Sequence, residues 1–352
     1  QATPASAEER AAGNAAAFYD SARRVLKLVC LDPSEHIAQT LASYGPNTQF
    51  SGTLTPLPLY RQLHGDETAE VARVAPQSVA DQLGLYVIPD VPTWFRSRES
   101  SLPKLAALVV TVISARPGNY FVAFPSFAYL DLFVDYFKEH HCEHALRVQE
   151  RGSDAQARDA FVAHFRAASE PTLGVVVLGG VFTESLDFAD DALLGMIVVS
   201  VALPPPDNAR EALVEHYSAQ GDADTGQIVA YRQPAMVRVI QAAGRVVRKP
   251  TDRGVVCLVD SRFQAPEFRA LQPLHWQPEV VREPALAGKL ASFWGAADGE
   301  ADGEALEAHT SLRDALSACL WSGLDTLPVV RNGVSIGRVS MREIRARAEG
   351  PR

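Results

Sequence analysis

Short, continuous apolar runs alternate along the middle of the chain with longer stretches whose apolar positions recur every three or four residues. "LGVVVLGG" (173–180), "GMIVVSVALPPP" (195–206) and the run "GVVCLVD" (254–260) are unbroken apolar segments of strand length, the kind that is buried on both faces. "LGLYVIPD" (83–90) and "NYFVAFPS" (119–126) read as further strands. Between them "LPKLAALVVTVISARPG" (102–118), "FAYLDLFVDYFKEHH" (127–141) and "QPAMVRVIQAAGRVVRK" (233–249) carry helical spacing. Alternation of strand and helix over this span predicts an α/β fold, a parallel sheet sandwiched by helices.

The flanks follow other patterns. Residues 1–15 are Ala-rich and polar and read as a frayed end. "AFYDSARRVLKLV" (17–29) reads as a helix, and "DPSEHIAQTLASYG" (32–45) as a second one opened by an Asp-Pro-Ser cap. "TQFSGTLTPLPLY" (48–60) reads as a short strand, a Ser-Gly-Thr turn, and prolines that stop further pairing. At 294–307 "WGAADGEADGEALE" has no apolar period and reads as an acidic, Gly-rich linker. Beyond it, "TSLRDALSACLWSGLDTLPVVRNGVSIGRVSMREIRARA" (310–348) predicts a helix–strand–strand–helix unit, with "RNG" turning between "TLPVV" and "SIGRVS".

Composition narrows the class. The 352 residues are 47% hydrophobic and 21% charged, enough for two or three globular domains. No run approaches the roughly 18 apolar residues of a membrane helix, and the start has no basic-then-apolar leader, so no membrane partner is expected. Cys30, Cys142, Cys257 and Cys319 are scattered singly. That gives no support to a zinc ribbon, an iron–sulfur cluster or a disulfide scaffold, and it fits a reducing cytoplasm. The net charge is −9, against a generally basic coat. Yet residues 237–253 hold Arg238, Arg245, Arg248, Lys249 and Arg253 against Asp252 alone, a local net of +4.

Candidate chemistry gathers where apolar strands give way to polar residues. In an open parallel sheet, ligands bind at the carboxyl edge. Four segments are read onto that edge: "QFSGTLTP", "FVAFPS", "VVVLGGVFTESLDF", and "RVIQAAGRVVR" with its strand. In the last, Gln241, Gly244, Arg245 and Arg248 follow at spacings of 3, 1 and 3, a pattern that suits either a solvated helix face or a phosphate sensor. Arg253, in the turn after Pro250, reads as a solvated charge. "HHCEH" (140–144) has metal-like density, but a solvated helix end, favourable to His, is the preferred reading, and no metal site is assigned.

Order and spacing together resemble the DinG/XPD family of superfamily-2 DNA helicases over residues 25–294. "SGTLTPL" looks like that family's motif III, "GNYFVAFPSFAYLD" like motif IV, and "VVLGGVFTESLDFADDALLGMIVVSVALPPP" like motif V. "YRQPAMVRVIQAAGRVVRKPTDRGVVCLVDSRF" is similar to motif VI and its following strand. The resemblance implies a RecA-like second motor domain at 66–293, preceded at 1–65 by the tail of the first motor domain or a connector. By the same resemblance Arg245 and Arg248 are arginine fingers and Gln241 senses the γ-phosphate or attacking water, while Gly244 allows close backbone approach. Ser51, Gly52, Thr53 and Ser126 would couple nucleotide state to DNA, and Gly180, Glu184 and Asp187 would link motif V to both. ATP and Mg are the implied cofactors, and single-stranded or forked DNA the implied partner.

Ser185 stands where the motif V pattern has Gly. The sequence has no G-x-x-x-x-G-K-[ST]: its one Gly-Lys, Gly288–Lys289, has Glu283 at the first Gly position. No apolar strand runs into a DEAH box, and the cluster cysteines of some relatives are absent. The expectation is a motor half completed by an N-terminal half in the same gene or by another chain, and inactive on ATP alone. Residues 309–349 resemble one CBS module, with Ser340 and Glu343 as candidate adenylate contacts, linker 294–308 before it, and dimerisation through this tail as the plainer role. The alternative function is a non-catalytic regulatory or scaffold protein with a degenerate motor domain and an adenylate-sensing tail.

Overall fold

The computed structural model describes residues 14–20, 24–74, 82–167, 170–180, 193–222, 224–249, 252–299, 306–307, 310–311, 313–315, 326–331 and 334–341. Residues 1–286 and 287–352 form separate compact units.

The first unit begins with a correction. Where a helix was expected over 17–29, strands β1 (Ala15–Asp20) and β2 (Val25–Cys30) pair antiparallel, with Ala15 opposite Cys30 and Asp20 opposite Val25. Both periods fit the run "VLKLVC", and its β-branched valines, whose χ1 is stiff, suit a strand better than a helix. Helix α1 (Ser34–Tyr44) follows as expected, with Asp32 accepting from the Ser34 N–H. No strand forms over residues 46–56, so the strand expected at "TQF" is absent; the segment leads straight into α2 (Leu57–Leu63).

The central sheet is built as the apolar runs predict. Strands β3 (Leu83–Ile88), β4 (Tyr120–Phe124), β5 (Ala145–Val148), β6 (Thr172–Val177), β7 (Gly195–Val199), β8 (Gly254–Val259) and β9 (Glu279–Val280) lie in the order β5-β6-β4-β7-β8-β3-β9, every pair parallel. The inner strands are buried along nearly their whole length, whereas edge strand β5 alternates exposed and half-buried residues.

Helices cover both faces. Phe161, Val162 and Phe165 of α5 (Ala155–Ala167) share one cluster with Met236, Val239, Ala242 and Ala243 of α7 (Gln233–Ala243) and with Phe121, Ala123, Met196, Val198, Val256 and Leu258. The alternate strand residues face the other way, where Phe124 meets Tyr129 and Phe133 of α4 (Phe127–His140) at centroid distances of 5.2 and 5.0 Å. Helix α4 lies against α3 (Arg98–Ala115), and α6 (Asn208–Gln220) precedes a π-helical turn, Ile228–Arg232, that runs into α7. Each fully buried Phe or Val contributes on the order of 1.5–3 kcal/mol, so the three layers hold the sheet firmly.

The connection leaving β4 runs to β5 on one side, while that leaving β7 runs to β8 on the other, which makes the β4/β7 boundary the topological switch point.

Helix α8 (Glu283–Gly299) starts within residues 1–286 and continues in the second unit to Gly299, through residues read as linker, because alanine-rich polar sequence is also good helix sequence. Strand β10 (Leu306–Glu307) pairs in parallel with β11 (Thr326–Arg331), and β11 pairs antiparallel with β12 (Val334–Ser340). Leu306, Ala315 and Leu327 form a small core there. Residues 306–307 therefore belong to the tail's sheet and not to a linker.

Candidate functional site

Helix α7 ends at Gly244, whose N–H reaches Ile240 O at 2.9 Å; the Arg245 and Val246 N–H groups close tighter turns onto Ala242 and Ala243. The helix expected to run on to Lys249 thus stops at Ala243. The Asp252 carboxylate holds the loop beyond, accepting from the Arg248 and Lys249 N–H groups, both at 2.8 Å. Gln82, just ahead of β3, donates to Lys249 O at 3.1 Å and Asp252 O at 3.0 Å, and accepts from the Gly254 N–H. A Cβ on Gly254 would lie 2.3 Å from Val246 Cγ1, so only glycine lets this loop seat against the start of β8.

These contacts place the loop at the amino edge of the sheet, which corrects the sequence reading: QAAGRVVR does not share the carboxyl edge with "FVAFPS" and "VVVLGG". The reason is geometric, since a helix that precedes a parallel strand runs antiparallel to it and ends where the strand begins. Gln241, Gly244 and Arg248 are exposed and Arg245 is partly so. Gly244 has an ordinary φ of −65°, so its backbone does not require glycine. Arg253 is half-buried with its Nε out of reach of solvent, contrary to the solvated charge expected.

The carboxyl edge holds a second group of residues. Ser126 follows β4, and its hydroxyl accepts from the Tyr129 N–H, capping α4 beside the switch point. After β6, Gly179 adopts φ +71°, and a Cβ there would lie 2.6 Å from Arg238 Nε of α7. Gly180 closes a turn onto Val177 O at 3.2 Å, and Gln149, beyond β5, accepts from the Val177 N–H at 2.8 Å. After β8, Asp260 is 1% exposed and accepts from Thr93 and from the Arg262 N–H (2.8 Å), Nε (2.9 Å) and Nη2 (2.6 Å). Arg262 also donates to Ser200, past the end of β7, at 3.1 Å.

One helix therefore touches both edges. At its start Gln233 donates to Tyr60 of α2, on the segment that carries the Ser-Gly-Thr turn; burial raises the Tyr60 pKa, partly offset by this bond. Ahead of it Arg232 grips Asp224 with two 2.6 Å bonds, holding that carboxyl below its ordinary pKa. Midway, Arg238 lies at Gly179, and past the far end stand Arg245 and Arg248.

Ser51 and Thr53 bond each other (hydroxyl to hydroxyl, 3.0 Å) in a local turn in which Gly52 is exposed. Glu184 and Asp187 lie outside the described residues, as does Glu343; Ser340 is the last residue of β12. In the His-rich run, His140 stacks on Tyr136 at 4.0 Å, and His141 and His144 pair with Glu143. No cluster among the described residues has the make-up of a metal site, and none of their helices is long and apolar enough to cross a membrane. Thr93, Trp94, Asp260 and Arg262 were not singled out from sequence: Thr93 and Asp260 stand 167 residues apart, so no local spacing announces the pair.

Residues 109–279 match the family described as helicase C-terminal domain. Regulator of telomere elongation helicase 1 of Bos taurus is 29% identical over 289 residues, covering 73% of this chain and 23% of that protein. Its homolog in Drosophila persimilis is 28% identical over 273 residues, covering 69% and 26%. The chain thus spans about a quarter of the length of the curated relatives it matches. Two XPD structures, one of the XPD helicase and one of XPD in its apo form, superpose with TM-scores of 0.55 and 0.57 at 19% and 20% identity. They cover 78% of this chain in each case, and 49% and 56% of their own lengths, a likeness of fold.

Proposed function

We infer, from the premise that residues 109–279 are a superfamily-2 helicase C-terminal domain of the DinG/XPD type, that this chain serves as the second motor half of an ATP-dependent DNA helicase. The observation that carries the reading is the QAAGRVVR turn, held at the end of α7 with Gln241 and Arg248 exposed and Arg245 partly so.

The donor set fits a triphosphate. The carboxyl end of a helix carries partial negative charge and by itself repels an anion. Arg245, Arg248 and Lys249 follow that end at once and reverse the local sign. ATP, when bound, supplies a terminal phosphoryl group on which negative charge builds up during transfer. Arg245 and Arg248 offer that charge planar guanidinium donors that stay protonated, and Gln241 offers an amide to the γ-phosphate or the attacking water. Mg and the phosphate loop belong, in this reading, to the first motor half, on the same polypeptide or another. The carboxyl edge, with Ser126 and Gly180, faces the DNA backbone, and α7 joins the two sites.

The test pairs this chain with a phosphate-loop motor half and measures DNA-stimulated ATP turnover. Arg245→Ala and Arg248→Ala should each lower kcat by about 10³ or more, with a smaller change in ATP affinity. Arg248→Lys should not restore turnover, because an ammonium lacks the planar fork of donors. Arg269→Ala, on an exposed short helix, is the control and should be mild. Turnover equal to wild type in both finger variants ends the assignment.

A further inference from the structure

Every strand of the central sheet points the same way, so whatever follows a strand lies at one edge. Four Arg-on-ring contacts fall there. Arg262, after β8, sits 4.2 Å from the ring centroid of Trp94, after β3. Arg98 lies 5.3 Å from the Phe95 ring and 4.6 Å from that of Tyr129 in the first turn of α4. Arg151, after β5, lies 4.8 Å from the ring of Phe127, which follows Ser126. Two of these rings are left open to solvent: Trp94 is 55% exposed and its neighbour Phe95 is 81% exposed.

A large exposed aromatic is costly to leave in water, and the fold spends buried polar groups to hold this one in place. Arg262 is fixed under Trp94 by Asp260 and by Ser200 Oγ, and Thr93, the residue before Trp94, is tied to the same carboxylate. One face of the indole is thereby backed by a guanidinium, while much of the ring stays accessible. Arg96, two residues along the same short segment, adds an exposed cation. An open ring backed by a fixed guanidinium, with an exposed cation two residues along the chain, suits a ligand that offers a flat π face and an anion side by side. An unpaired nucleotide does so, and aromatic platforms of this make-up hold single strands with little regard to sequence. A base pair inside a duplex presents its edges instead and could not lie flat on the ring.

We propose that Trp94, backed by Arg262, is a base-stacking platform that holds one nucleotide of a single strand along the carboxyl edge of the sheet. The proposal rests on the motor reading above and goes beyond it, since Trp94 precedes the segment that matches the family and lies in none of the motif-like stretches. Arg262 is a positioning residue here: it sets the ring, and the ring meets the base.

The experiment uses the full chain and two labelled strands of equal length, an oligodeoxythymidylate and an abasic strand with the same number of phosphates. Binding is followed by anisotropy at several salt concentrations. The wild type should prefer the strand with bases by roughly 5- to 150-fold, the range for one stacked base. Trp94→Ala should remove that preference while leaving the abasic affinity and its salt slope unchanged, and Trp94→Phe should keep most of it. Equal affinity of the wild type for the two strands overturns the platform and leaves the motor reading standing. So does a preference that survives Trp94→Ala, the result expected if this ring instead docks a protein. Absence of salt-dependent binding to either strand overturns both readings.

Discussion

At Gly179 a single hydrogen atom in place of a methyl group decides how closely α7 can approach the strand ends. Its φ of +71° lies where side chains other than glycine are strained, and the space a Cβ would take is filled by the Arg238 guanidinium stem. Gly179→Ala should therefore cost about 1–3 kcal/mol, read as a lower urea midpoint at unchanged slope. Asp260 is the other residue on which much depends. It is 1% exposed and gathers donors from Thr93 and Arg262, so Asp260→Ala leaves a guanidinium without its counter-charge in a poorly hydrated site. A loss of about 3–5 kcal/mol is expected in the same measurement. Neither residue's importance was legible in the sequence. A glycine pair after a strand is a common packing device, and Asp260 closes a contact with a residue 167 positions away. Arg245, Arg248 and Gln241, by contrast, stood out by type and spacing alone.

Among the elements, α7 has the most to do. From Gln233 to Ala243 it is 11 residues, about 16 Å at 1.5 Å per residue, and it runs from the Tyr60 hydroxyl to the arginine loop. Just before it, the π-helical turn is clamped by Asp224 and Arg232. The Arg232 hydrogen bonds hold the Asp224 carboxyl below the ordinary 3.8, in spite of a smaller opposing effect of burial. A carboxyl whose folded pKa is depressed stabilises the fold above its unfolded pKa, and the contribution disappears as pH falls through the folded value. Thermal midpoints measured from neutral pH down through and below 3.8 should thus fall less steeply in Asp224→Asn than in wild type, from a lower starting point. Parallel curves would mean the clamp is too exposed to matter. The sequence showed most elements of this region because buried parallel strands are unbroken apolar runs. It misled at 17–29, where the second of two six-residue strands, VLKLVC, is rich in Val and Leu and satisfies helical and strand periods alike. It misled too at the end of α7, where "GRVVRK" keeps helical spacing while an Asp252 side chain captures its N–H groups for a turn.

For the whole molecule the decisive fact is that its two sets of candidate contacts lie on opposite edges of one sheet. A sequence reading that places all motif-like segments on a single edge cannot distinguish a helix end from a strand end; only the antiparallel run of α7 relative to β8 separates them. Two edges imply two separable chemistries, and that yields a test on the intact chain. The protein as a whole is acidic, with a net charge of −9, so nonspecific attraction to a polyanion is weak and binding must come from the local cations. Single-stranded DNA should bind modestly, with an affinity that falls steadily as salt rises, because each phosphate contact releases condensed counterions. Substituting Arg96 at the carboxyl edge by Ala should lower the affinity and reduce the magnitude of the salt slope by up to about one contact. Substituting Arg248 at the amino edge should leave both unchanged, since that residue is assigned to nucleotide. Affinities at several salt concentrations for the three proteins settle the matter. If Arg248→Ala alters the slope as much as Arg96→Ala does, the two edges share one polyanion surface, and the division of labour across the sheet is wrong.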